Sequence, residues 1–195
     1  YAKLYLPKVS GMADLYVYFF IRGFMLLKQK SGVFCFICSN SWLDVSYGAE
    51  LREIVLNNCR VRFILDNQSE RSFENAAVNT TINLFVMDQG LEKKASFIAA
   101  YEALSSLEVS ESFRTYLSNG DNVQNDSFQV ISVPNKNPKI KTEKWGAYYL
   151  KSSKIFHQIF EGYGQYFVPL NSIANVRRGI TTGCNEFFYL SESQL

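Results

Sequence analysis

Residues 33–38 (VFCFIC) form an apolar run that carries no polar side chain. Gly32 precedes the run and ends the helical pattern before it, and Ser39, Asn40 and Ser41 follow it. A strand that is apolar throughout is typical of a sheet covered by helices on both faces, and such sheets are usually parallel. The run therefore predicts a buried parallel strand in an α/β fold.

Helical and strand patterns alternate around this run. Apolar residues recur at helical spacing over residues 13–28, with Asp14 near the amino end and Lys28 near the carboxyl end, where each charge favours the helix dipole. The order helix, strand, helix, strand, loop, strand is that of half a doubly wound sheet. Because the last loop contains no helix, the two strands that it joins are expected to be antiparallel. The later predicted elements are a helix at 47–57 and strands at 61–65 and 78–87.

The character of the sequence changes after residue 90. Residues 91–117 have a mixed helical pattern, and 118–144 are rich in Asn, Ser, Lys and Pro, as surface loops and linkers are. A helix is predicted at 152–163, and short strands with Gly179 and Gly183 are predicted between 168 and 190. These patterns predict three regions: an α/β region at 1–90, a helical and loop connector at 91–167, and a new unit from 168 to 195.

Charge and hydropathy restrict the classes of function. With 20 Lys and Arg against 18 Asp and Glu, the net charge is +2, so any nucleic acid must be contacted by local basic clusters. The candidates are the lysines of 136–144, where a solvated surface is the preferred interpretation, and the pair Arg177 and Arg178, where DNA contact is about equally favoured. The longest apolar stretch, 15–27, contains Arg22 and is shorter than a membrane-spanning helix, so no membrane partner is expected.

The four cysteines do not indicate a disulfide scaffold. They are scattered, which fits the reducing cytoplasm. Cys35 and Cys38 spell CxxC, but in a strand residues three apart point to opposite sides of the sheet, so they cannot share a metal ion. No metal site is predicted.

Four stretches, taken in order, resemble one known family. GMADLYVYFFIRGFMLLKQKSG, FICSNSWLDVSYGAELREIVL and ILDNQSERSFENAAVNTTINLF resemble motifs V, VI and VIII of the N6-adenine DNA methyltransferases fused to type IIG restriction enzymes. VRRGITTGCNEFFYL resembles the lead into their target-recognition domain. The resemblance implies the C-terminal half of a Rossmann-like class I methyltransferase sheet, then a helical linker and the start of a β-rich target-recognition domain.

The resemblance also implies S-adenosyl-L-methionine as cofactor and double-stranded DNA as partner. In the family a glycine-rich loop holds the cofactor, and an Asn-Pro-Pro-Tyr motif holds the target amine. The 195 residues contain neither a GxGxxG pattern nor adjacent prolines. The chain is therefore expected to be a fragment that does not methylate alone. Its unpaired sheet edge is expected to favour self-association.

Phe19, in the stretch DLYVYF, stands where the family places an aromatic ring against the adenine of the cofactor. A flat apolar ring suits a purine, although Phe19 also lies among aromatics at helical spacing, where core packing is the alternative. Ser39 and Asn40 lie just past the predicted strand, where open α/β sheets bind ligands, and are expected in the wall of the catalytic cleft. The alternative is that they cap a short turn. Trp42 is expected to pack at the edge of the core.

Phe73, in RSFENAAVNTT, stands where the family stacks an aromatic ring on the adenine rotated out of the duplex. An enzyme that acts on a base must extrude it and replace its lost stacking, which suits an aromatic in a polar loop. The alternative is that Phe73 is tucked into the core. Asp14 and Asp66 are expected at a helix amino end and a strand-end turn, without a catalytic role.

Two other classes of function stay open at this stage. A noncatalytic DNA-specificity protein would share the segment that begins at 168 but would not need the sheet. An unrelated α/β enzyme for a small molecule would need only a site at the end of the sheet.

Overall fold

The computed structural model describes residues 4–69, 72–73, 78–88, 93–119, 122–177 and 179. The chain divides into two compact units, Tyr1–Lys154 and Ile155–Leu195. Each unit is described by itself. None of the helices in the described ranges is long and apolar enough to cross a membrane.

The first unit contains one mixed sheet, which has six strands within the described residues. The strands lie in the order β1-β3-β2-β4-β6-β5. β3 is antiparallel to both of its neighbours, as predicted for the strand pair that follows the second helix, whereas β2 and β4 are parallel. β1 and β2 therefore run in the same direction, and their carboxyl ends lie at the same end of the sheet, on either side of β3. The strands are β1 Val33–Ser39, β2 Arg60–Asn67, β3 Thr80–Val86, β4 Lys94–Ala100, β5 Val123–Gln124 and β6 Phe128–Pro134.

The described residues contain six α-helices, five of them in the first unit. α1 and α2 lie close to the two helices predicted from apolar spacing. Short helical turns connect the other elements: a 3₁₀ turn at Asn40–Leu43 after β1, a π-helical turn at Gly146–Leu150, and 3₁₀ turns at Gly164–Tyr166 and Leu170–Ser172. The helices are α1 Leu15–Leu26, α2 Ser46–Asn58, α3 Leu104–Val109, α4 Glu111–Asn119, α5 Lys139–Thr142 and α6 Lys154–Tyr163.

Apolar side chains form two buried clusters in the first unit. The larger joins α1 and α2 to the sheet and contains the fully buried rings of Phe20, Phe24 and Phe85. The smaller joins α3 and α4 to the sheet through Leu107 and Phe113. Helices therefore pack on the sheet in two clusters, as expected for an α/β fold.

The prediction that β1 is a parallel strand buried on both faces is wrong. Among the described strands, β1 lies at the edge of the sheet and pairs with β3 alone, in the antiparallel direction. Val33 and Ile37 are 55% and 39% exposed, and Cys35 is also exposed. The prediction failed because the sequence shows that the strand is apolar, but it does not show whether other elements cover both of its faces and both of its edges.

Three strands were not expected in the second part of the first unit. Residues 94–100, predicted within a helical pattern, form β4, and residues 123–124 and 128–134, predicted within a linker, form β5 and β6. β4 is buried from Ala95 onwards because β2 and β6 pair with its two edges and because its side chains lie in both apolar clusters, with Phe97 in the larger and Ile98 in the smaller. A short apolar run that is buried all round does not distinguish a strand from a helix by its period.

The second unit begins with α6. In the predicted strand region 168–190, residues 168–177 and 179 are described and contain the 3₁₀ turn Leu170–Ser172. Arg178, Gly183 and the other positions of this region lie outside the described residues.

Candidate functional site

The carboxyl ends of β1 and β2 carry polar side chains at the same edge of the sheet. Ser39 ends β1, and its Oγ accepts a hydrogen bond from Ser41 N–H at 3.3 Å, which caps the following 3₁₀ turn. The Asn40 N–H donates to the carbonyl oxygen of Asn79 at 2.9 Å, just before β3. Ser39 therefore caps a turn, and the backbone of Asn40 joins the end of β1 to the approach to β3.

Asp66 connects the two strand ends through its side chain. It is 2% exposed, and its two carboxylate oxygens accept hydrogen bonds from Asn40 Nδ2 at 3.1 Å and from Gln68 Nε2 at 2.8 Å. Gln68 Nε2 also lies 3.4 Å from the Leu150 carbonyl oxygen in the π-helical turn. The carboxylate thus accepts from two side-chain amides, and it links the residue that follows β1 to the residue that follows β2.

Phe73 lies in the loop that follows β2, and its ring is 46% exposed. Ser72, directly before it, forms a hydrogen bond with Thr80, the first residue of β3. The ring therefore stands outside the core, next to a residue that is anchored to the sheet. The sequence patterns did not single out Asn67, Gln68 or Ser72. The available signal was that all three follow the predicted strand 61–65, as Ser39 and Asn40 follow the apolar run 33–38.

Phe19 lies on α1, which begins after Asp14 caps its first turn by accepting from Leu15 N–H at 2.7 Å. The Phe19 ring is 56% exposed, and its centroid is 6.3 Å from that of Phe36 on β1. Its helix neighbours Phe20 and Phe24 are fully buried. These two residues supply aromatic packing of the core, whereas more than half of the Phe19 side chain stays accessible.

The 3₁₀ turn after β1 is fixed by a buried tryptophan and by an arginine of α2. Trp42, predicted to pack at the edge of the core, is fully buried within it, with its ring centroid 5.8 Å from that of Phe20 and 5.5 Å from that of Trp145. Arg52 of α2 donates from Nη1 to the carbonyl oxygens of Trp42 and Leu43, at 3.1 and 2.8 Å. Burial lowers the pKa of the Arg52 guanidinium from its usual value.

The CxxC pair cannot act as a chelating site. Cys35 is exposed and Cys38 is buried, as expected for opposite faces of a strand. Burial raises the pKa of the Cys38 thiol to about 12, although hydrogen bonds with Thr81 and Asn83 act in the opposite direction. Cys38 therefore stays protonated near neutral pH. Within the described residues, no three His, Cys, Asp or Glu side chains come together as a metal site.

Arg177 is exposed in the second unit. Its predicted partner in DNA contact, Arg178, lies outside the described residues. Among the lysines of 136–144, Lys139 donates to the Tyr148 hydroxyl at 3.0 Å and lies over that ring.

The fold and the polar edge together define a class of protein. It is a mixed α/β protein whose side chains converge at the carboxyl ends of two like-directed strands, where ligands of open α/β sheets bind. The chain has the fold of the methyltransferase subunit of a type I restriction-modification system from Streptococcus thermophilus. The TM-score is 0.57 at 12% identity, over 76% of this chain and 32% of that chain.

Sequence comparisons narrow this class to relatives of restriction-modification methyltransferases. Residues 1–73 match the family model described as Eco57I restriction-modification methylase. The chain is similar to the Type II methyltransferase M.AccI of Acinetobacter calcoaceticus, with 25% identity over 190 residues, or 96% of this chain and 32% of the relative. It is also similar to the Type II methyltransferase M.BstVI of Geobacillus stearothermophilus, with 23% identity over 195 residues, or 100% of this chain and 34% of the relative. The chain thus spans about a third of the length of these relatives.

Proposed function

We propose that this chain forms part of a site-specific DNA adenine-N6 methyltransferase of a restriction-modification system. The observation that carries the proposal is the exposed Phe73 ring, which follows a serine hydrogen-bonded to the first residue of β3, at the end of the sheet where Asn40 contacts Asp66. A base rotated out of a duplex needs a flat face on which to stack and a polar wall beside it. The similarity to Type II methyltransferases over nearly the whole chain supports the same assignment.

In the proposed enzyme, one set of residues contacts the target base and another contacts the cofactor. Phe73 stacks on the extruded adenine, while Ser39 and Asn40 form the cleft wall. Phe19 receives the adenine of S-adenosyl-L-methionine, because its accessible ring suits a purine. The methyl group that is transferred comes from this cofactor. Neither a GxGxxG loop nor an Asn-Pro-Pro-Tyr motif occurs in the 195 residues, so the proposal assigns the rest of cofactor binding and the grip on the target amine to other sequence.

The proposal extends to the other regions of the chain. Residues 1–90 belong to the catalytic domain, 91–167 connect it, and 168–195 begin the target-recognition domain, where Arg177 and Arg178 contact DNA phosphates. The enzyme is of type IIG, fused to a restriction endonuclease. Because its substrate is cellular DNA and its cysteines suit a reducing compartment, it acts in the cytoplasm.

The proposed base-stacking role is tested by substituting Phe73 in the full-length enzyme. Phe73→Ala should slow methylation about tenfold to a hundredfold, because base stacking on an aromatic side chain is worth roughly 1 to 3 kcal/mol. Phe73→Trp should retain much of the activity, since its ring still offers a face to the base. Tyr166→Ala is a control for loss of an exposed aromatic ring, because Tyr166 is 75% exposed in the second unit.

Thermal melting measured on the same variants separates stacking from packing. An alanine variant that melts early, yet methylates at the normal rate while folded, contradicts the base-stacking role. Incorporation of labelled methyl groups into cytosine, or into no DNA base at all, contradicts the assignment as an adenine methyltransferase.

A further inference from the structure

Asn67 ends β2 and points its side-chain amide into the loop that carries Phe73. The residue is only 4% exposed, although it lies at the end of a strand. Its Oδ1 accepts from the Ser69 N–H at 3.3 Å and from the Ser69 hydroxyl at 3.1 Å. Its Nδ2 donates to Ser72 Oγ at 3.1 Å. One buried amide thus binds the loop at two places, shortly after it leaves the sheet and directly before Phe73.

The Ser72 hydroxyl is held from two strands at once. It contacts Asn67 at the end of β2 and Thr80 at the start of β3, and Thr80 is itself 2% exposed. β2 and β3 are paired, with Asp66 opposite Thr81, so the two anchors belong to one rigid ladder. The backbone that enters Phe73 is therefore fixed by the sheet, while the ring projects 46% exposed.

A ring that must receive a base gains from being held in place before the base arrives. If the loop were free, ordering it would cost conformational entropy in every catalytic cycle, and a misplaced ring would shift the target amine relative to the methyl donor. We propose that Asn67 is a positioning residue for this reaction, acting through Ser72 to hold Phe73 where the extruded adenine stacks. This inference rests on the proposed function.

A double-mutant cycle between Asn67 and Phe73 in the full-length enzyme tests the coupling. Asn67→Ala should lower kcat for adenine methylation by about tenfold to a hundredfold, because small misplacements at a reacting centre carry such costs. The KM for S-adenosylmethionine should stay unchanged. In a Phe73→Ala background the same substitution should change kcat by less than about twofold, since the group that it positions is already gone. Equal effects in both backgrounds overturn the proposal.

Two further variants separate positioning from general stability. Asn67→Asp keeps acceptors for Ser69 and can accept from the Ser72 hydroxyl while Thr80 donates to Ser72 in turn, so it should retain most of kcat. Asn57→Ala removes an exposed amide from α2 and should have no effect on kcat. Loss of kcat in Asn67→Asp equal to that in Asn67→Ala contradicts the hydrogen-bonding role.

A measurement that does not depend on methylation distinguishes this inference from the proposed function. In the 195-residue chain, Asn67→Ala should speed amide hydrogen exchange at Ser69, Ser72 and Phe73, while exchange in β4 stays unchanged. Unchanged hydrogen exchange at Ser69 overturns the proposed positioning role of Asn67 even if the enzyme methylates DNA. Faster exchange, in a full-length protein that methylates no DNA, overturns the proposed function and limits Asn67 to ordering the loop.

Discussion

The carboxylate of Asp66 joins two segments that are 26 residues apart in the chain, because it accepts from the Asn40 amide as well as from Gln68. A carboxylate has only acceptors when ionised, whereas the side chain of Asn has an acceptor and a donor group. The position is therefore sensitive to a substitution that changes hardly any volume. Asn40 and Asp66 form a donor–acceptor pair that can be reversed.

Reversing the pair is expected to restore the stability that each single change removes. Asp66→Asn directs an amide donor at one of two existing donors, and Asn40→Asp brings two carboxylates together. Each should lower the free energy of unfolding by roughly 1 to 3 kcal/mol. In the double variant, Asn at 66 donates to Asp at 40 and still accepts from Gln68.

Urea unfolding of the four proteins measures this coupling. The double variant should recover most of the loss, giving a favourable interaction energy. Asp126→Asn removes one negative charge at an exposed position and should leave stability unchanged, within about 0.5 kcal/mol. Additive losses in the double variant contradict the direct contact.

Part of the site could be predicted from these residues, and part could not. The polar break after an apolar strand predicted side chains just past the strand, and in the structure Ser39 ends β1 and Asn40 begins the 3₁₀ turn. Asn67 and Gln68 were missed because the predicted strand ended at 65, whereas the ladder of β2 continues to Asn67. Polar side chains at a strand end look like loop residues in the sequence, and only pairing with neighbouring strands shows that they belong to the sheet.

At the scale of elements, α2 and the turn after β1 approach closely through Gly48. A Cβ built on Gly48 would lie 1.7 Å from the Trp42 carbonyl oxygen. That oxygen also accepts from Arg52, so the turn cannot move away without losing a hydrogen bond at a buried group. The helix therefore contacts this turn at a position where only glycine fits.

Gly48→Ala is expected to lower the free energy of unfolding by roughly 2 to 3 kcal/mol, because overpacking a well-fitted contact forces backbone shifts. Gly162→Ala is the matched control, since Gly162 also lies in a helix and a Cβ there meets nothing within 4 Å. It should be neutral or raise stability by up to about 1 kcal/mol through helix propensity. Equal effects of the two substitutions in thermal and urea unfolding contradict the packing argument.

The elements before residue 90 could be predicted and those after it only in part, for physical reasons. α1 and α2 have apolar faces and polar opposite sides, and β2 and β3 are joined by a loop without a helix, so local patterns were sufficient. β4 and β6 depend on each other and on β2 for their burial. That information lies in contacts distant in sequence, which a local pattern does not contain.

At the scale of the whole molecule, the chain alone is expected to bind S-adenosylmethionine weakly. The Phe19 ring is 56% exposed and is the proposed contact for the cofactor adenine, and the sequence has no GxGxxG loop for the rest of the cofactor. Calorimetric titration should give a dissociation constant of about 100 μM or weaker, which corresponds to roughly −5.5 kcal/mol. Phe19→Ala should abolish the heat of S-adenosylmethionine binding, whereas Tyr166→Ala should leave it unchanged. Tight binding with one cofactor per chain would show that the cofactor site lies elsewhere.

The free edge of β1 is expected to pair with the same edge of a second copy. Val33, Cys35 and Ile37 are exposed apolar side chains on one face of β1, beside backbone groups that no described strand pairs on that side. An unprotected edge of this kind promotes association, and a lysine on it opposes association. Ile37→Lys should lower the mass measured by light scattering toward that of the monomer.

Ile173→Lys is the control for self-association, because it adds the same charge at a residue that is 73% exposed in the second unit. It should leave the concentration dependence of the mass unchanged. A natural chain that stays monomeric from micromolar to millimolar concentration contradicts association through β1.

The antiparallel β3 between β1 and β2 has a consequence for how such a protein changes over evolutionary time. The loop between β2 and β3 leaves and re-enters the sheet through neighbouring strands, with Asp66 opposite Thr81. Its two ends are fixed at adjacent points whatever its length, and doubling the length of a flexible loop costs only about 0.6 kcal/mol. Insertions and deletions in this loop that leave Ser69, Ser72 and Phe73 in place can therefore accumulate while the ladder on either side stays the same. In this fold the length of the loop between β2 and β3 can change, while the pairing of β2 with β3 is retained.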